Sequence, residues 1–513
     1  MQKLACCKQS MTEDNDDKYF QPQLSKRRWA YLGIIVLTLQ IVRNYSVMSS
    51  GQISNVYVVF FNATYEQVDW FTEIPFLVQS LASPFLAWFS HSQPRFLRLV
   101  CLVAAGCVAT GYFFSTVALT NGKLLSVMLI GQIFQGLALT VADTIPSTFA
   151  IKWFPPAQVG TAIGLNIIGI SGGTFIAGSI PPRVLQNPSK CSTQNDTLSS
   201  AQNCSKSVVE TDIFILLKIS GIFFAFSVAS LVFLALFLTE GPPTPPSQAE
   251  TLRSSASNNK EQANFGEFWS NSKRLLCDTS YMFISLSCGL QYHVFVVETI
   301  MMSQIVRSVA NVSEKQINDY VAGGNVLMLF SGASACGALV MGRVIDSVHN
   351  HLAIARVAAF LSMLSSAGIV LGFHYLSMTG LYISIFAHGF FSRVVMVSAY
   401  EVIAQHTYPM NELFTACWLG GLQGWLTVVV GQVARVTFKF AGGEKTLIFV
   451  QTGGLIVSFF GICLIRPNYK RREANKELSK DEEDENSLLI ENSEGKESHA
   501  LLPARRWDFG GRC

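Results

Sequence analysis

Apolar runs of roughly 20 residues alternate with short polar stretches along most of this chain, and they fall into two groups of six. A run of that length crosses the ~30 Å hydrocarbon core of a bilayer as a helix. Because lipid offers the backbone no hydrogen-bonding partner, helices are expected rather than loops or open strands. The predicted spans are residues 30–58, 69–91, 96–118, 124–150, 157–183, 212–239, 279–307, 321–345, 352–374, 380–405, 412–438 and 445–466.

Polar segments flank and divide the two groups of spans. Residues 240–278 are rich in Pro, Ser and Asn, which predicts a flexible linker between a first half, 29–239, and a second half, 279–466. The segments 1–28 and 467–513 are polar and are predicted to be disordered. The first segment lacks the apolar stretch of a signal peptide, so the first span is expected to direct membrane insertion.

Composition agrees with an all-α, polytopic membrane protein. Only 14% of the 513 residues are charged, and the formal net charge is +3. The chain has no phosphate-binding loop, metal-ligand cluster or nucleophile elbow, so no enzyme activity, cofactor or metal is predicted. It also lacks the repeated filter sequence of a channel. A solute carrier fits best, acting as a monomer without a nucleic-acid partner, and a transport-inactive receptor or scaffold that keeps the fold is the alternative.

Charge and glycosylation signals predict the same orientation. Basic residues flank the spans at 26–28, 95–98, 273–274 and 470–472, which places these loops and both termini in the cytoplasm by the positive-inside rule. Four Asn-X-Ser/Thr sequons fall on the other side in a twelve-span count. The predicted glycosylation sites are Asn62, Asn195, Asn203 and Asn311.

Two further features concern the compartment in which the protein resides. Cys191 and Cys204 share the predicted outer loop 184–211, and in an oxidising compartment they are expected to form a disulfide. In the tail, acidic residues precede two leucine pairs, which resembles the acidic dileucine signal read by clathrin adaptors. The signal residues are Leu488, Leu489, Leu501 and Leu502. The predicted location is the endosomal or lysosomal membrane, with the plasma membrane as the alternative.

Six plus six spans with a cytoplasmic linker resemble the major facilitator superfamily, in which two six-helix halves rock around a central site. The fifth span also carries closely spaced glycines, which let helices approach one another and predict a packing face. These glycines are Gly164, Gly169, Gly172, Gly173 and Gly178.

A narrower resemblance rests on short motifs spread over most of residues 26–466. They are KRRW, ISNV and VDW within 26–70, GQ at 131–132, WFPP at 153–156, IPPRVL at 180–185 and TYP at 407–409. Together they resemble the feline leukaemia virus subgroup C receptor-related family, solute carrier family 49. The resemblance implies secondary transport of choline, ethanolamine or a pyridoxine-like amine, and haem is the alternative substrate within that family.

The chain departs from this pattern in its gating loops. Gly342 and Asp346 follow the eighth span and resemble the gating-loop motif of the superfamily. The Asp expected at the corresponding place in the first half reads as His91. The resemblance therefore implies a brace at Asp346 and a weakened one in the first half.

The chain also departs from its choline-carrying relatives, which enclose the ammonium group between aromatic side chains of helices 1 and 7. Here the helix 1 position falls at Ser46 or Val47 and the helix 7 position near Val296. A glutamine of helix 5 becomes Ser171, whereas the glutamine of helix 11 is kept as Gln423. These departures argue against choline transport by direct analogy.

Ionisable side chains inside spans are costly, and they face a cavity or a partner. Six of them fall on helices 1, 4, 7 and 10, which line the central cavity in this superfamily. They are Arg43, Asp143, His293, Glu298, His388 and Arg393. The competing interpretation is that they pair within the bundle and lock helices together.

Depth along the helices suggests roles for these residues. Arg43 and Arg393 lie near the midplane, one in each half, and are expected to orient the substrate or its counter-charge. Glu298 and His388 are expected to meet across the outer part of the cavity and to carry proton sensitivity. Asp143 is expected to lie too far inward to pair with Arg43 unless a helix bends.

Two charged residues near the outer ends of their helices are interpreted differently. Glu73 and Lys218 are expected to extend along their helices to the membrane interface. His293 and His388 could offer imidazole to haem under the alternative substrate, although hydrogen bonding is the commoner role for such histidines.

Overall fold

The computed structural model describes residues 27–92, 96–120, 124–185, 198–242, 265–309, 323–347, 350–375, 378–408 and 410–466. These residues form twelve long helical segments, one at each predicted span. In chain order they are α1 (Arg27–Gln52), α2 (Tyr65–Ser92), α3 (Leu97–Thr120), α4 (Leu125–Trp153), α5 (Pro156–Ser179), α6 (Leu198–Phe237), α7 (Thr279–Val309), α8 (Gly323–Ser347), α9 (His351–His374), α10 (Met378–His406), α11 (Glu412–Ala441) and α12 (Leu447–Leu464).

Ten of these helices are long and apolar enough to cross a membrane on length and composition. The other two, α2 and α7, are continuous helices of 28 and 31 residues that carry several polar side chains. Glu73 and Gln79 of α2 and Gln291 and His293 of α7 are buried. The polarity of these side chains lowers the mean hydropathy of both helices. Because they face protein rather than lipid, they do not prevent the helices from spanning a membrane.

Two stretches differ from the sequence-based expectation. The helix α6 begins at Leu198, well before the predicted start of the sixth span. The prediction of a flexible linker over the whole of 240–278 is wrong for its last part, because Phe265–Leu276 forms a helix. Phe268 and Leu275 lie on one buried face of this linker helix, which explains why the segment folds onto the bundle.

The two halves meet along extended helix pairs. Helix α5 packs along α8 and α2 packs along α11, while α1 contacts α7 and α4 contacts α11. Because the chain crosses twelve times, both described ends, Arg27 and Arg466, lie on one side of the bundle. This side is called the termini side below, and the side that carries Asn62 is called the opposite side.

The predicted glycine packing face is present on part of α5. A β-carbon at Gly173 would lie 2.6 Å from the carbonyl oxygen of Ile41 in α1, and one at Gly178 would lie 2.7 Å from that of Gly324 in α8. Gly169 is equally tight against α1, whereas the space at Gly164 is open. The glycines of the second half of α5 thus bring both α1 and α8 into backbone contact, and α8 belongs to the other half.

Candidate functional site

A small cavity lies between the two halves near the middle of the bundle. Its free space is about that of a single water molecule, so a larger solute would need the surrounding helices to move apart. Both halves contribute to its wall through α1, α5, α7, α8 and α10. The lining residues are Met48, Ser171, Thr174, Tyr292, Val296, Leu327, Phe330, Ser331, Ser334 and Arg393.

Arg393 of α10 is the charged residue in this wall. It is 4% exposed, and its guanidinium carbon lies 4.9 Å from the centre of the Tyr292 ring in α7. Its Nη1 donates a hydrogen bond to the Met396 sulfur at 3.2 Å, and thioether sulfur is a weak acceptor. The aromatic face and the sulfur hold the guanidinium in place, and no described carboxylate pairs with it.

Arg43 of α1 is the second buried cation. It is 1% exposed and follows directly on a π-helical stretch, Val36–Val42. Gln40 in this stretch donates to the carbonyl oxygen of Ala142 in α4 at 2.7 Å, while the Arg43 Nε donates to that of Leu39 at 3.1 Å. A π-helical turn is wider than an α-helical turn and is common at functional sites. Here it contains the residue of α1 that bonds to α4, and Arg43 follows directly after it.

Asp143 of α4 is the anionic neighbour of both arginines. Its Oδ2 accepts a hydrogen bond from the Gln79 Nε2 of α2 at 2.7 Å, and its charge interacts with those of Arg43 and Arg393. Among the described residues, no carboxylate lies within 4.0 Å of either arginine. We call Arg43, Asp143, Tyr292 and Arg393 the central cluster; it holds two cations and one anion.

Ser171 and Gln423, which the sequence singled out, lie in different settings. Ser171 of α5 is 2% exposed and lines the cavity, and its hydroxyl has no hydrogen-bond partner. Gln423 of α11 is buried outside the cavity wall, where its Nε2 lies 3.5 Å from the Cys288 sulfur of α7. The hydroxyl of Ser171 is thus free to bind a ligand, whereas Gln423 packs between helices.

The two membrane histidines also lie outside the cavity wall. His293 is 3% exposed and meets the Phe76 ring edge to face at 5.3 Å. The His388 Nδ1 lies 3.0 Å from the hydroxyl of Ser362 in α9, which in turn donates to the Gln291 Oε1 at 2.8 Å. His388 therefore joins a buried polar network within the second half, and its proposed part in proton sensitivity stays a prediction.

Several predicted residues lie outside the described part of the structure. The side chains of Glu298, Asp346, Asn203 and Cys204 belong to helices but are not described, and the same holds for His91. Residues Asn195, Asn311, Cys191, Leu488, Leu489, Leu501 and Leu502 fall in segments that are not described. Asn62 is exposed in a left-handed conformation (φ 51°) at the turn between the first two spans, which is a reachable position for a glycan.

Sequence reasoning missed a second charged cluster near the opposite side. Glu73 does not extend to the membrane interface as predicted, because it is 3% exposed and its Oε2 lies 2.5 Å from the Arg435 Nη2 of α11. The Asp69 Oδ2 lies 3.8 Å from the Arg435 Nη1, and the Trp70 ring lies against the same guanidinium at 5.6 Å. Asp69, Glu73 and Arg435 form the opposite-side cluster, which joins the two halves.

A signal for this cluster was present in the sequence. Asp69 and Glu73 are spaced i and i+4, so they share one face of α2. Arg435 lies at a similar distance from the same end of α11, in an otherwise apolar stretch. Charges of opposite sign at equal depth in two spans indicate a pair, but depth alone does not show which helices are neighbours.

The described residues form twelve long helices in two halves, with a cavity between them to which both halves contribute. This is the architecture of a membrane solute carrier. The family model described as Major Facilitator Superfamily matches residues 31–417. The chain therefore belongs to the major facilitator superfamily, and it is a transporter rather than an enzyme.

Curated relatives and solved structures agree with this assignment. An uncharacterised transporter of this type from Caenorhabditis elegans is 23% identical over 89% of this chain and 72% of its own length. A choline/ethanolamine transporter from Danio rerio is 22% identical over 89% of this chain and 90% of its own. The crystal structure of the E. coli fucose:proton symporter (N162A) superimposes with a TM-score of 0.58 at 12% identity, covering 85% of this chain and 99% of the other. At 12% identity, the similarity to the fucose:proton symporter concerns the fold alone.

Proposed function

We propose that this protein carries a small organic solute by alternating access and binds it in the cavity between Ser171 and Arg393. The observation that carries the proposal is the construction of the cavity wall, since α1 and α5 come from the first half and α7, α8 and α10 from the second. A rocking movement of one half against the other would open such a cavity to one side and then to the other.

The contacts on the opposite side support one step of this cycle. There Arg435 binds carboxylates of the other half, and α5 meets α8 in backbone contact at Gly178. In this arrangement these contacts would close a path from the cavity to the opposite side. Opening that path requires the Arg435 pair to break, so the opposite-side cluster would act as a gate.

The relatives named as choline/ethanolamine transporters suggest an amine as substrate, and pyridoxine extends that class to a vitamin-like amine. Counterflow with purified protein in liposomes, using choline, ethanolamine, pyridoxine and haem in turn, tests the proposal. Exchange of any solute would establish transport and dismiss the receptor or scaffold alternative. A protein that is folded by thermal unfolding yet exchanges none of them would contradict this substrate range.

Proton coupling is a second, separable part of the proposal. Glu298 and His388 are the candidate groups, because a carboxylate and an imidazole titrate closer to neutral pH than an arginine does. Uptake between pH 5 and 8 by Glu298→Gln and His388→Ala should lose the pH dependence of the wild-type protein. Retention of the wild-type profile in both variants would remove these residues from the coupling mechanism.

The cellular setting is proposed from the sequence alone. Both termini are expected in the cytoplasm, with glycans at the four predicted sequons and a disulfide between Cys191 and Cys204. The two leucine pairs of the tail would engage clathrin adaptors and direct the protein to endosomes or lysosomes. Changing all four leucines to alanine should move the protein to the cell surface, and an unchanged distribution by microscopy would reject the signal.

A further inference from the structure

The central cluster carries an excess of positive charge at the place where the substrate would bind. Two buried arginines face one half-buried aspartate, and Arg393 contributes directly to the cavity wall. Burying an arginine without a counter-ion is unfavourable, because the group loses its hydration and gains no partner of opposite charge. An internal carboxylate normally supplies that partner, yet the described residues place none within 4.0 Å of either guanidinium.

Asp143 does not remove this excess. Its carboxylate is engaged by Gln79 through a 2.7 Å hydrogen bond, and the residue is not part of the cavity wall. It balances the charge of one arginine at a distance, and no other carboxylate of the described residues compensates the second. A ligand in the cavity would therefore meet the guanidinium of Arg393 before it met a carboxylate of the protein.

The polar groups of the wall can complete a site for an anion. The hydroxyl of Ser171 is buried, lines the cavity and has no partner, so it can donate to a ligand. Ser331 and Ser334 add hydroxyls from α8, although these already donate to backbone carbonyls. A guanidinium and a hydroxyl donor are the groups that bind carboxylate or phosphate oxygen. Both are present here, and no described carboxylate pairs with the guanidinium.

We infer that the transported solute carries an anionic oxygen group, a carboxylate or a phosphate, which binds Arg393 of α10 and Ser171 of α5. This inference rests on the proposed function, because it assigns the substrate class of the same cavity. A purely cationic amine would be repelled by Arg393, and the Tyr292 ring of the wall already lies against that guanidinium. A solute with both an amine and an acid group agrees with the resemblance to amine transporters and also brings an anionic group to Arg393.

The position of the two anchors also links binding to movement. Ser171 belongs to the first half and Arg393 to the second, so one anionic group bound to both would hold the halves together. The charge of Arg393 is then satisfied only when the solute is present and the cavity is closed around it. A solute at such a site binds the closed state more tightly than either open state. A ligand drives a conformational change only through such a difference in affinity.

Matched probe pairs test the substrate class directly, whatever the natural solute. Choline and trimethylglycine share the trimethylammonium group and differ in an alcohol against a carboxylate, and ethanolamine and phosphoethanolamine differ in a phosphate. Binding to purified full-length protein is measured by thermal shift and counterflow by liposome exchange. The variants are Arg393→Gln, Arg393→Lys and Ser171→Ala, and the control is Arg356→Gln, which alters an arginine bound to carbonyls at the termini side.

The acidic member of at least one pair should bind wild-type protein more tightly than its neutral or cationic partner. Arg393→Gln should weaken that binding about 10- to 100-fold, as expected for loss of a charged hydrogen bond. Arg393→Lys should recover part of it, Ser171→Ala should weaken it less, and Arg356→Gln should leave it unchanged.

Two outcomes separate this inference from the proposed function. If no acidic probe binds better than its partner, or if Arg393→Gln binds it as wild type does, the inference is overturned, even when amines exchange normally. If an acidic probe binds through Arg393 and nothing is exchanged across the membrane, the substrate class stands and the proposed transport fails.

Discussion

The central and opposite-side clusters contain the same kinds of residue in opposite proportion. At the centre two arginines, Arg43 and Arg393, share one carboxylate, and the described residues form no ion pair with either. At the opposite side one arginine, Arg435, faces two carboxylates and lies 2.5 Å from the nearer one. Each cluster combines buried and half-buried side chains, so the two do not differ markedly in exposure to solvent.

This difference indicates what each cluster does in the protein. A cation bound to carboxylates within hydrogen-bond distance stabilises the contact between helices that already touch. The cation at the centre is held by an aromatic ring and a sulfur beside a cavity, and no described carboxylate pairs with it. The opposite-side cluster is therefore suited to joining the two halves, and the central cluster to binding an anionic ligand.

The largest expected effect separates the two clusters by stability. Arg435→Gln leaves Asp69 and Glu73 buried without a counter-charge and should lower the free energy of unfolding by about 3 kcal/mol. Arg393→Gln removes an unpaired buried charge and should leave stability unchanged or raise it. Thermal unfolding of the purified variants in detergent measures both, and equal losses would mean that the two clusters do not differ as described.

A double variant sharpens this result. Adding Glu73→Gln to Arg435→Gln removes one of the stranded carboxylates and should recover part of the lost stability. Failure to recover any would indicate that Arg435 acts through packing against Trp70 rather than through charge.

The second effect concerns the single anion of the central cluster. Asp143→Asn keeps a side chain that can bond to Gln79 but removes the charge that faces Arg43 and Arg393, and it should cost about 2 kcal/mol of stability. Arg43→Gln in the same protein should restore most of that loss, because it returns the cluster to one unpaired cation. Additive losses in the double variant would show that the two groups are not coupled.

Hydrophobic patterning predicted the twelve helices, because a bilayer imposes both the length and the helical state of each span. It also singled out Arg43, Asp143 and Arg393 as candidates, since charge inside a span is costly. It did not predict partners, because hydropathy contains no information on helix rotation or neighbourhood. Glu73 and Arg435 are 362 residues apart in the chain and meet only through the packing of α2 on α11.

The cavity wall was only partly predictable for the same reason. Ser171 and Arg393 were singled out from the sequence, whereas Tyr292 and the serines of α8 were not. Aromatic and hydroxyl residues are common in membrane helices, so their presence alone carries no signal. The helix Phe265–Leu276 was missed because the proline-rich part of the linker dominates its composition, and the amphipathic pattern at its end is short.

The third effect ranks the two carboxylates of the opposite-side cluster. Glu73→Gln breaks the 2.5 Å pair and should cost about 1.5 kcal/mol. Asp69→Asn should be close to neutral, since its carboxylate lies 3.8 Å from Arg435 and its Oδ1 has no partner. Thermal unfolding of the two variants side by side decides the ranking, and a larger loss for Asp69→Asn would assign the gate contact to Asp69 instead of Glu73.

The smallest effect comes from a charged pair at the termini side, outside both clusters. Asp278 caps the start of α7, where its Oδ1 accepts from the Tyr281 N–H at 3.0 Å, and the His406 Nε2 lies 3.0 Å from its carboxylate. Partial burial raises the pKa of Asp278, but the bonds from His406 and the backbone outweigh it and lower the pKa from 3.8 to about 2.

Because the folded pKa of Asp278 lies below the unfolded one, its contribution to stability is complete above about pH 4 and is lost as the pH falls towards 2. Asp278→Ala should cost about 1 kcal/mol at neutral pH through loss of the cap. Asp278→Asn, which can still cap the helix, should cost less, and neither change should alter uptake at neutral pH. A strong loss of uptake in Asp278→Asn at full stability would instead show that this pair takes part in opening the termini side. The pair would then be a third charged site with a role in transport, beside the ligand-binding centre and the gating opposite side.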